Sequence, residues 1–282
     1  MMAIPRVPGY ELLNCLGGGM LTSVYAARSL SADTQCAVKV LRPDWADQPT
    51  AIKLLQREAR ACMAVQHPHL IALRRAHVTK PPYFLVMDLL PGESLRRRLR
   101  RDYRLHVTTT LWIIRQMAEA LATLHRAGFI HGDIKPDNIR VLGEGEALLL
   151  DLGFAHRPGE NTALLKRGYV LGTVNYLAPE LCGTDPLDDK ASDLFSLGVT
   201  LFEMLTGQLP YPAGSPSQTL KRHHADPPCD LRRHGLAFPS GLVELTHRLL
   251  SRQTKDRPSA DRIVQYLVAL EIAALRWRPQ AA

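Results

Sequence analysis

The chain has 282 residues, 46% apolar and 22% charged, with a formal net charge of +8. That length and balance suit a soluble globular protein, one large domain or two small lobes, with ample apolar residue for a core. The positive excess attracts anions in general, nucleotides and acidic protein segments included. It carries no interleaved aromatic and basic pattern, zinc-ligand spacing or recognition-helix motif, so a nucleic-acid partner is not expected.

Residues 10–40 alternate in the manner of strands, with turns at Gly17-Gly18-Gly19 and around residues 29–34. Glycines just past a strand let backbone N–H groups approach phosphate oxygens without side-chain interference. The pattern G-x-G-x-x-G-x-V is met at Gly17, Gly19 and Val24, with Thr22 in place of the third glycine; alone, a triple glycine reads as a hairpin turn. Cys36-Ala37-Val38-Lys39-Val40 is a buried strand interrupted by one cation, either an edge-strand gatekeeper or a phosphate ligand. Its place after a glycine-rich hairpin favours the ligand. Residues 51–65 are helical in pattern, with Leu54, Leu55, Ala61, Cys62 and Val65 on one face. Glu58 rides on that helix, as a partner for Lys39 or as a solvated carboxylate. Strands follow at residues 71–76 and 83–89, and Pro91-Gly92 breaks the chain, so a boundary between lobes is expected at residues 88–94.

In residues 94–104, Leu95, Leu99 and Tyr103 fall four apart and line one helix face while arginines cover the rest. This reads as a solvated basic helix, with an acidic partner docking between Arg96 and Arg104 as the sharper alternative. Residues 108–126 form an amphipathic helix closed by Gly128. Then comes His131-Gly132-Asp133-Ile134-Lys135-Pro136-Asp137-Asn138, and after the apolar run 147–150, Asp151-Leu152-Gly153. An acid, an amide, a second acid and a lysine are what phosphoryl transfer needs: one group orients the attacking hydroxyl, others hold magnesium, and a cation screens the moving phosphoryl group. Acids and amides also crowd ordinary loops for turn chemistry. Residues 154–170 carry little periodicity and read as a mobile segment, followed by Gly172-Thr173 and Ala178-Pro179-Glu180. The helix expected over 190–205 is apolar nearly all round and belongs in the core, which makes Asp193 a buried acid in need of donors. Residues 213–239 are rich in proline and polar groups, and two helices over 241–251 and 259–275 close the chain. No apolar run reaches the length of a membrane span, and the N-terminus lacks a signal-peptide pattern. The five cysteines form no C-x-x-C pair, which points to reduced thiols and a cytoplasmic location.

In this order the residues resemble the eukaryotic-type (Hanks-type) protein kinase family from about Tyr10 to Leu275, and within it the compact bacterial serine/threonine kinases. The matching marks are Gly17, Gly19 and Val24, Ala37 and Lys39, Glu58, His131, Asp133, Lys135 and Asn138, Asp151 and Gly153, Ala178-Pro179-Glu180, Asp193 and Arg257. The resemblance implies an α+β bilobal fold: a small, mostly antiparallel β lobe with one key helix over residues 10–87, a hinge at 88–94, a larger helical lobe over 95–275 and a tail at 276–282. It also implies ATP and Mg²⁺ as cofactors, and protein substrates with Ser/Thr acceptors. By the same resemblance the backbone near Gly17, Gly18 and Gly19 covers the phosphates, Leu16 counts among the nucleotide-binding residues, and Lys39, paired with Glu58, holds the α- and β-phosphates. Asp133 orients and deprotonates the acceptor hydroxyl, Lys135 contacts the γ-phosphate, and Asn138 and Asp151 bind magnesium. Val24, Ala37, Met87 and backbone near Leu89 enclose adenine. Glu180 and Arg257 form a buried ion pair, and Asp193 braces the catalytic loop.

Four positions depart from the family pattern: Leu21 and Thr22 in the glycine-rich loop, Leu152 after the metal-binding acid, and Gly132 where such kinases carry the arginine that receives an activation-loop phosphate. Gly132 also makes the loop similar to that of aminoglycoside and choline kinases. Lys135, Gly172-Thr173 and Ala178-Pro179-Glu180 set the chain apart from those small-molecule enzymes. The altered loop positions raise a third reading, a nucleotide-binding pseudokinase scaffold. Retention of Lys39, Glu58, Asp133, Asn138 and Asp151 argues against it.

Overall fold

The computed structural model describes residues 5–143, 145–182, 185–212, 214–235 and 237–274. The expected tail at 276–282, and Leu275 as the end of the last helix, lie outside the described residues. Two compact units form: the first holds the chain up to Pro91 together with Asp151–Gly153, and the second holds Gly92–Leu150 and the chain from Phe154 onward. The first unit is an antiparallel sheet with one long helix and the second is mostly helical, the α+β division expected of the chain.

In the first unit, β1 (Tyr10–Gly18), β2 (Thr22–Ser29), β3 (Gln35–Leu41), β4 (Leu73–His77) and β5 (Phe84–Met87) form a sheet in the order β1-β2-β3-β5-β4. The two-residue period of a strand sends alternate side chains to opposite faces. Cys36, Val38 and Val40 therefore join Ala27, Phe84 and Val86 in one apolar cluster, while Leu41 and Leu85 pack with Ala51, Leu55 and Ala59 in a second. Those last three residues come from α1 (Pro49–Ala64), which opens with Pro49 at its first position. Lys39 lies across from Val24 on β2 and from Leu85 on β5, and Ala37 lies across from Met87. This register sets Val24, Ala37, Lys39 and Met87 along one face of the sheet.

The second unit starts with β6 (Glu93–Ser94), which pairs with the hairpin of β7 (Ile139–Leu142) and β8 (Glu146–Leu149). Ser94 caps α2 (Leu95–Asp102) by accepting from the Arg97 N–H at 3.2 Å. The helix ends at Asp102, so Tyr103 does not extend the Leu95–Leu99 face as expected; it sits beyond the end at φ +64° and is exposed. Next come α3 (Val107–Arg126), α4 (Thr162–Lys166), α5 (Ala191–Thr206), α6 (Pro216–Ala225), α7 (Ser240–Leu249) and α8 (Ala260–Ala274). As the all-round apolar pattern requires, α5 is buried along nearly its whole length. Within residues 213–239, rich in proline and polar groups, α6 forms on a capping box. Ser215 accepts from the Gln218 N–H, Gln218 accepts from the Ser215 N–H, and Pro216 follows the cap. None of the described helices is long and apolar enough to cross a membrane.

Candidate active site

In the second unit the loop from His131 to Asn138 hangs between Ile130, bridged to His156, and β7. Asp193, in the first turn of α5, fixes its start. The buried Asp193 carboxylate accepts from the N–H of His131 at 2.8 Å, the N–H of Gly132 at 2.9 Å and the His125 ring at 2.8 Å. Burial pushes this carboxyl up, but the His125 ring and the loop N–H outweigh it and hold Asp193 below the usual carboxylate range. His131 is itself buried: its Nδ1 accepts from the Asp133 N–H at 3.3 Å, and its Nε2 donates to the Leu150 carbonyl at 3.1 Å. Those partners settle which ring nitrogen carries the proton.

Three donors converge on Asp133. Thr173 donates its hydroxyl to Oδ1 at 2.8 Å, while Lys135 Nζ and Asn138 Nδ2 reach Oδ2 at 2.6 and 2.9 Å. Lys135 also donates to the Thr173 hydroxyl oxygen at 2.6 Å, which closes a ring of acid, lysine and threonine. Asn138, held in the turn Pro136–Asn138, further donates Nδ2 to the Asp133 carbonyl at 2.8 Å. With Nδ2 turned to Asp133, the amide oxygen is the atom Asn138 offers a hard cation.

In the first unit, Glu58 of α1 is buried and holds Lys39 Nζ at 2.9 Å, so the solvated-carboxylate alternative does not hold. Lys39 also donates to Asp151 Oδ1 at 2.6 Å, and the Gly153 N–H reaches the same oxygen at 3.1 Å. Burial works against the charge on Lys39, but Glu58 and Asp151 together hold its ammonium well above the usual lysine range. The Asp151 side chain is 41% exposed, a carboxylate open to solvent rather than sealed in the core. Ala37 and Met87 are buried, Val24 and Leu89 half-buried, and Leu16, Gly17, Gly18 and Gly19 exposed. The turn from Gly19 to Thr22 is closed by the Gly19 N–H on the Thr22 carbonyl at 2.9 Å. Thr22 thus serves as the first residue of β2.

The Glu180–Arg257 pair is bidentate, at 2.5 and 2.8 Å, and Arg257 also donates to the carbonyls of Ala191 and Ser251. Three features escaped the sequence reading. His125 is a third donor to Asp193. His156 Nε2 meets Asp188 at 2.7 Å, and both side chains are buried. Arg96, taken there as part of a basic face, turns inward to Asp137, Tyr176 and Glu203.

A family model described as the protein kinase domain matches residues 10–268. The chain belongs to the protein kinase family. Relatives of this kinase include the serine/threonine-protein kinase PrkC of Bacillus subtilis (strain 168), 33% identical over 258 residues, which are 91% of this chain and 39% of that protein. The serine/threonine-protein kinase PknB of Mycobacterium leprae (strain TN) is 33% identical over 88% of this chain and 40% of its own length. The serine/threonine-protein kinase pkn2 of Myxococcus xanthus is 34% identical over 96% of this chain and 33% of its own. This kinase thus spans only between a third and two-fifths of the length of these relatives.

Proposed function

We propose that this kinase transfers the γ-phosphoryl group of Mg-ATP to serine and threonine hydroxyls of protein substrates. The observation that carries the reading is the Asp133 carboxylate, on which Lys135, Asn138 and Thr173 converge. In this reading Asp133 takes the proton of the acceptor hydroxyl, and Lys135, already beside it, neutralises charge on the transferring group. Lys39, steadied by Glu58, grips the nucleotide phosphates, with the backbone of Gly17, Gly18 and Gly19 over them and Leu16 beside the nucleotide. Val24, Ala37, Met87 and the backbone at Leu89 take the adenine. Asn138 and Asp151 supply the oxygen ligands suited to magnesium, which when bound neutralises phosphate charge. The kinase domain is taken as residues 10–275, with lobes at 10–87 and 95–275 and a hinge at 88–94.

The names of the relatives support serine and threonine acceptors and do not favour a small-molecule substrate. Intact Lys39–Glu58 and Asp133–Asn138 geometry supports an active enzyme over a scaffold. The five free thiols support action in a reducing compartment, the cytoplasm. An acidic partner would meet the exposed Arg97, Arg100 and Arg104, not Arg96. We further infer that activity does not depend on activation-loop phosphorylation, because Gly132 brings no cation to receive it.

The deciding experiment is incubation with γ-labelled ATP and magnesium, alone and with a library of Ser-, Thr- and Tyr-centred peptides, followed by phosphosite mapping. Label on Ser and Thr, absent in Asp133→Asn, is expected. Label on a small alcohol only, or none at all, overturns the reading.

A further inference from the structure

One buried imidazole links α6 to the chain around Asp133. His223, in the last turn of α6, is fully buried and packs its ring against Phe195 of α5 and Tyr211, at centroid distances of 5.7 and 4.4 Å. Its Nδ1 donates to the Leu177 carbonyl at 2.8 Å. A carbonyl only accepts, so Nδ1 carries the proton and Nε2 of the neutral ring is a bare acceptor. That Nε2 is buried without a hydrogen-bond partner among the described residues, as are the hydroxyls of Tyr211 and of Thr219, one turn earlier on α6. Each such atom costs stability that an apolar group of the same shape would spare.

The carbonyl it holds is well chosen. Leu177 lines, with Gly132, Asp133, Thr173 and Tyr176, a small cavity at the catalytic loop. It follows the turn Val174–Tyr176, where the Tyr176 N–H returns to the Thr173 carbonyl at 2.9 Å and the Leu177 N–H to the Val174 carbonyl at 3.2 Å. Two side chains tie down the end of that turn: Ser196 of α5 donates to the Tyr176 carbonyl at 2.7 Å, and His223 to that of Leu177. Thr173, at the head of the turn, supplies the hydroxyl that bridges Asp133 and Lys135. Of the two tethers, only the imidazole titrates in mild acid.

A second proton would go to Nε2, where no acid waits for it. The turns packed against α6, Val174–Tyr176 and Pro179–Leu181, bring Tyr176 and Glu180. Tyr176 is engaged by Arg96 and Glu203, and Glu180 by Arg257, whose guanidinium lies 5.0 Å over the Phe195 ring. Asp193 of α5 is taken up by His125 and the catalytic-loop N–H groups. Around Tyr211 stand Arg252, Arg257 and Asp226, and His224 follows on α6 itself. Burial holds the His223 pKa below 6.5, with His224 adding to it and the Leu177 carbonyl pulling the other way. A depressed folded-state value means that what His223 contributes is complete above about pH 6.5 and is lost as pH falls through the folded value.

Resting on the kinase reading above, we infer that His223 is a positioning residue with a built-in response to acid. Neutral, it holds the Leu177 carbonyl and, through the turn, the Thr173 hydroxyl at Asp133. As imidazolium it leaves its site, the turn loosens, and phosphoryl transfer falls.

The test measures kcat/KM for a Ser-centred peptide without titratable side chains, between about pH 5.5 and 7.5, in wild type, His223→Asn and His223→Leu. The asparagine amide N–H can stand where Nδ1–H stood and does not titrate; leucine keeps the bulk and loses the donor. At the upper pH, His223→Leu should fall about tenfold, the worth of one hydrogen bond, and His223→Asn should regain most of that loss. Acid limbs from ATP and Asp133 are common to all three, so the ratio of wild type to His223→Asn isolates the ring. That ratio should drop about tenfold between the upper and lower pH. A merely structural role lowers both variants alike and leaves the ratio flat, which overturns the inference; so does wild type that unfolds as a whole at the lower pH by circular dichroism. If His223→Leu fails to melt cooperatively, wild type against His223→Asn carries the comparison. Nitrogen-15 NMR of the wild-type ring reads the same group without turnover. A proton on Nδ1 at neutral pH and a titration below the ordinary histidine value support the inference, and a proton on Nε2 overturns it. Absence of transfer by any form sinks the kinase reading instead, while the ring NMR still decides this one.

Discussion

Gly172 brings its backbone so close to Gly132 that a Cβ on Gly172 would lie 2.8 Å from the Gly132 carbonyl oxygen and 3.6 Å from Asp133 Oδ1. Its φ of +99° is also one that side chains rarely adopt. The contact places Thr173, the next residue, where its hydroxyl bridges Asp133 and Lys135. Gly172→Ala should displace that hydroxyl and lower kcat/KM by roughly tenfold to a hundredfold. The strain on the fold should stay within about 1–3 kcal/mol, so a melting curve should show a folded protein. Turnover near wild type would mean that the Thr173 bridge is dispensable.

Asp133→Asn keeps the shape of the side chain and leaves Thr173 and Asn138 with a partner, but removes the oxygen that accepts a proton. A group whose work lies in the transition state affects kcat far more than ground-state binding. The expected outcome is a kcat at least about 100-fold lower with nucleotide affinity little changed, read by steady-state assay and nucleotide titration. A variant that turns over normally refutes the role of Asp133.

Lys39→Met and Glu58→Gln separate contact from positioning. In the first, the loss of the phosphate-gripping ammonium should depress kcat/KM sharply; in the second, Lys39 keeps Asp151 and the loss should be smaller. Stability should show a different signature. Lys39→Met leaves Glu58 buried without its cation, which costs about 3 kcal/mol. Burial already raises the Glu58 pKa, and Lys39 is what draws it back. Without Lys39, Glu58 takes up a proton in the folded state at higher pH, so the variant should lose stability as pH rises through that pKa and recover part of it in mild acid. Melting temperature against pH reads this directly, and a flat difference between variant and wild type would rule it out.

The His156–Asp188 pair supplies a pH dependence of known sign. Burial alone would lower the His156 pKa from 6.5, but the Asp188 carboxylate, with the Phe154 carbonyl and more distant Asp193, raises it. A raised folded-state pKa means the stabilisation is complete below the ordinary histidine value and is lost as pH climbs through the folded value. Wild type should therefore lose melting temperature above about pH 6.5, and His156→Asn should flatten that slope. An unchanged slope would assign the titration to another group.

Much of the site was legible because phosphoryl transfer constrains residue types at fixed spacings: Asp133, Lys135 and Asn138 share one loop, and local chain geometry brings them together. The Lys39–Glu58 pair was legible as an option only, since helical periodicity places Glu58 on α1 without saying what faces it. What stayed hidden depends on tertiary contacts. Nothing near Arg96 in the sequence announces Glu203, and nothing near His156 announces Asp188. By contrast α6 was overlooked although Ser215-Pro216-Ser217-Gln218 carries a complete start signal; the weight of prolines around it masked a local rule.

Gly132 bears on control. An arginine there would be a cation awaiting a phosphate on the activation segment, and phosphorylation would add about two negative charges to pair with it. In this kinase the residue has no side chain, and its φ is +79°. A Cβ at that point would meet the Phe154 carbonyl oxygen at 3.0 Å, the Phe154 Cβ at 3.3 Å and the His156 ring at 3.4 Å. The space is thus taken by the start of the segment 154–170, which is pinned by His156 to Asp188 and by the Asn161 N–H to the same carboxylate at 3.1 Å. Arg157, Lys166 and Arg167 are exposed cations that could bind a phosphate on the segment, Arg157 lying over the Phe129 ring and Lys166 pairing with Asp185 at 3.4 Å. Exposed pairs contribute at most about 1 kcal/mol, too little for tight on–off control. Dephosphorylated enzyme should therefore be active, and Thr162→Ala should change kcat/KM by less than about tenfold, or 1.4 kcal/mol. Thr173→Ala should cost more, because its hydroxyl touches both Asp133 and Lys135. Phosphatase treatment followed by a peptide assay decides the matter: activity that disappears and returns after autophosphorylation would show that a cation other than one at position 132 receives the phosphate.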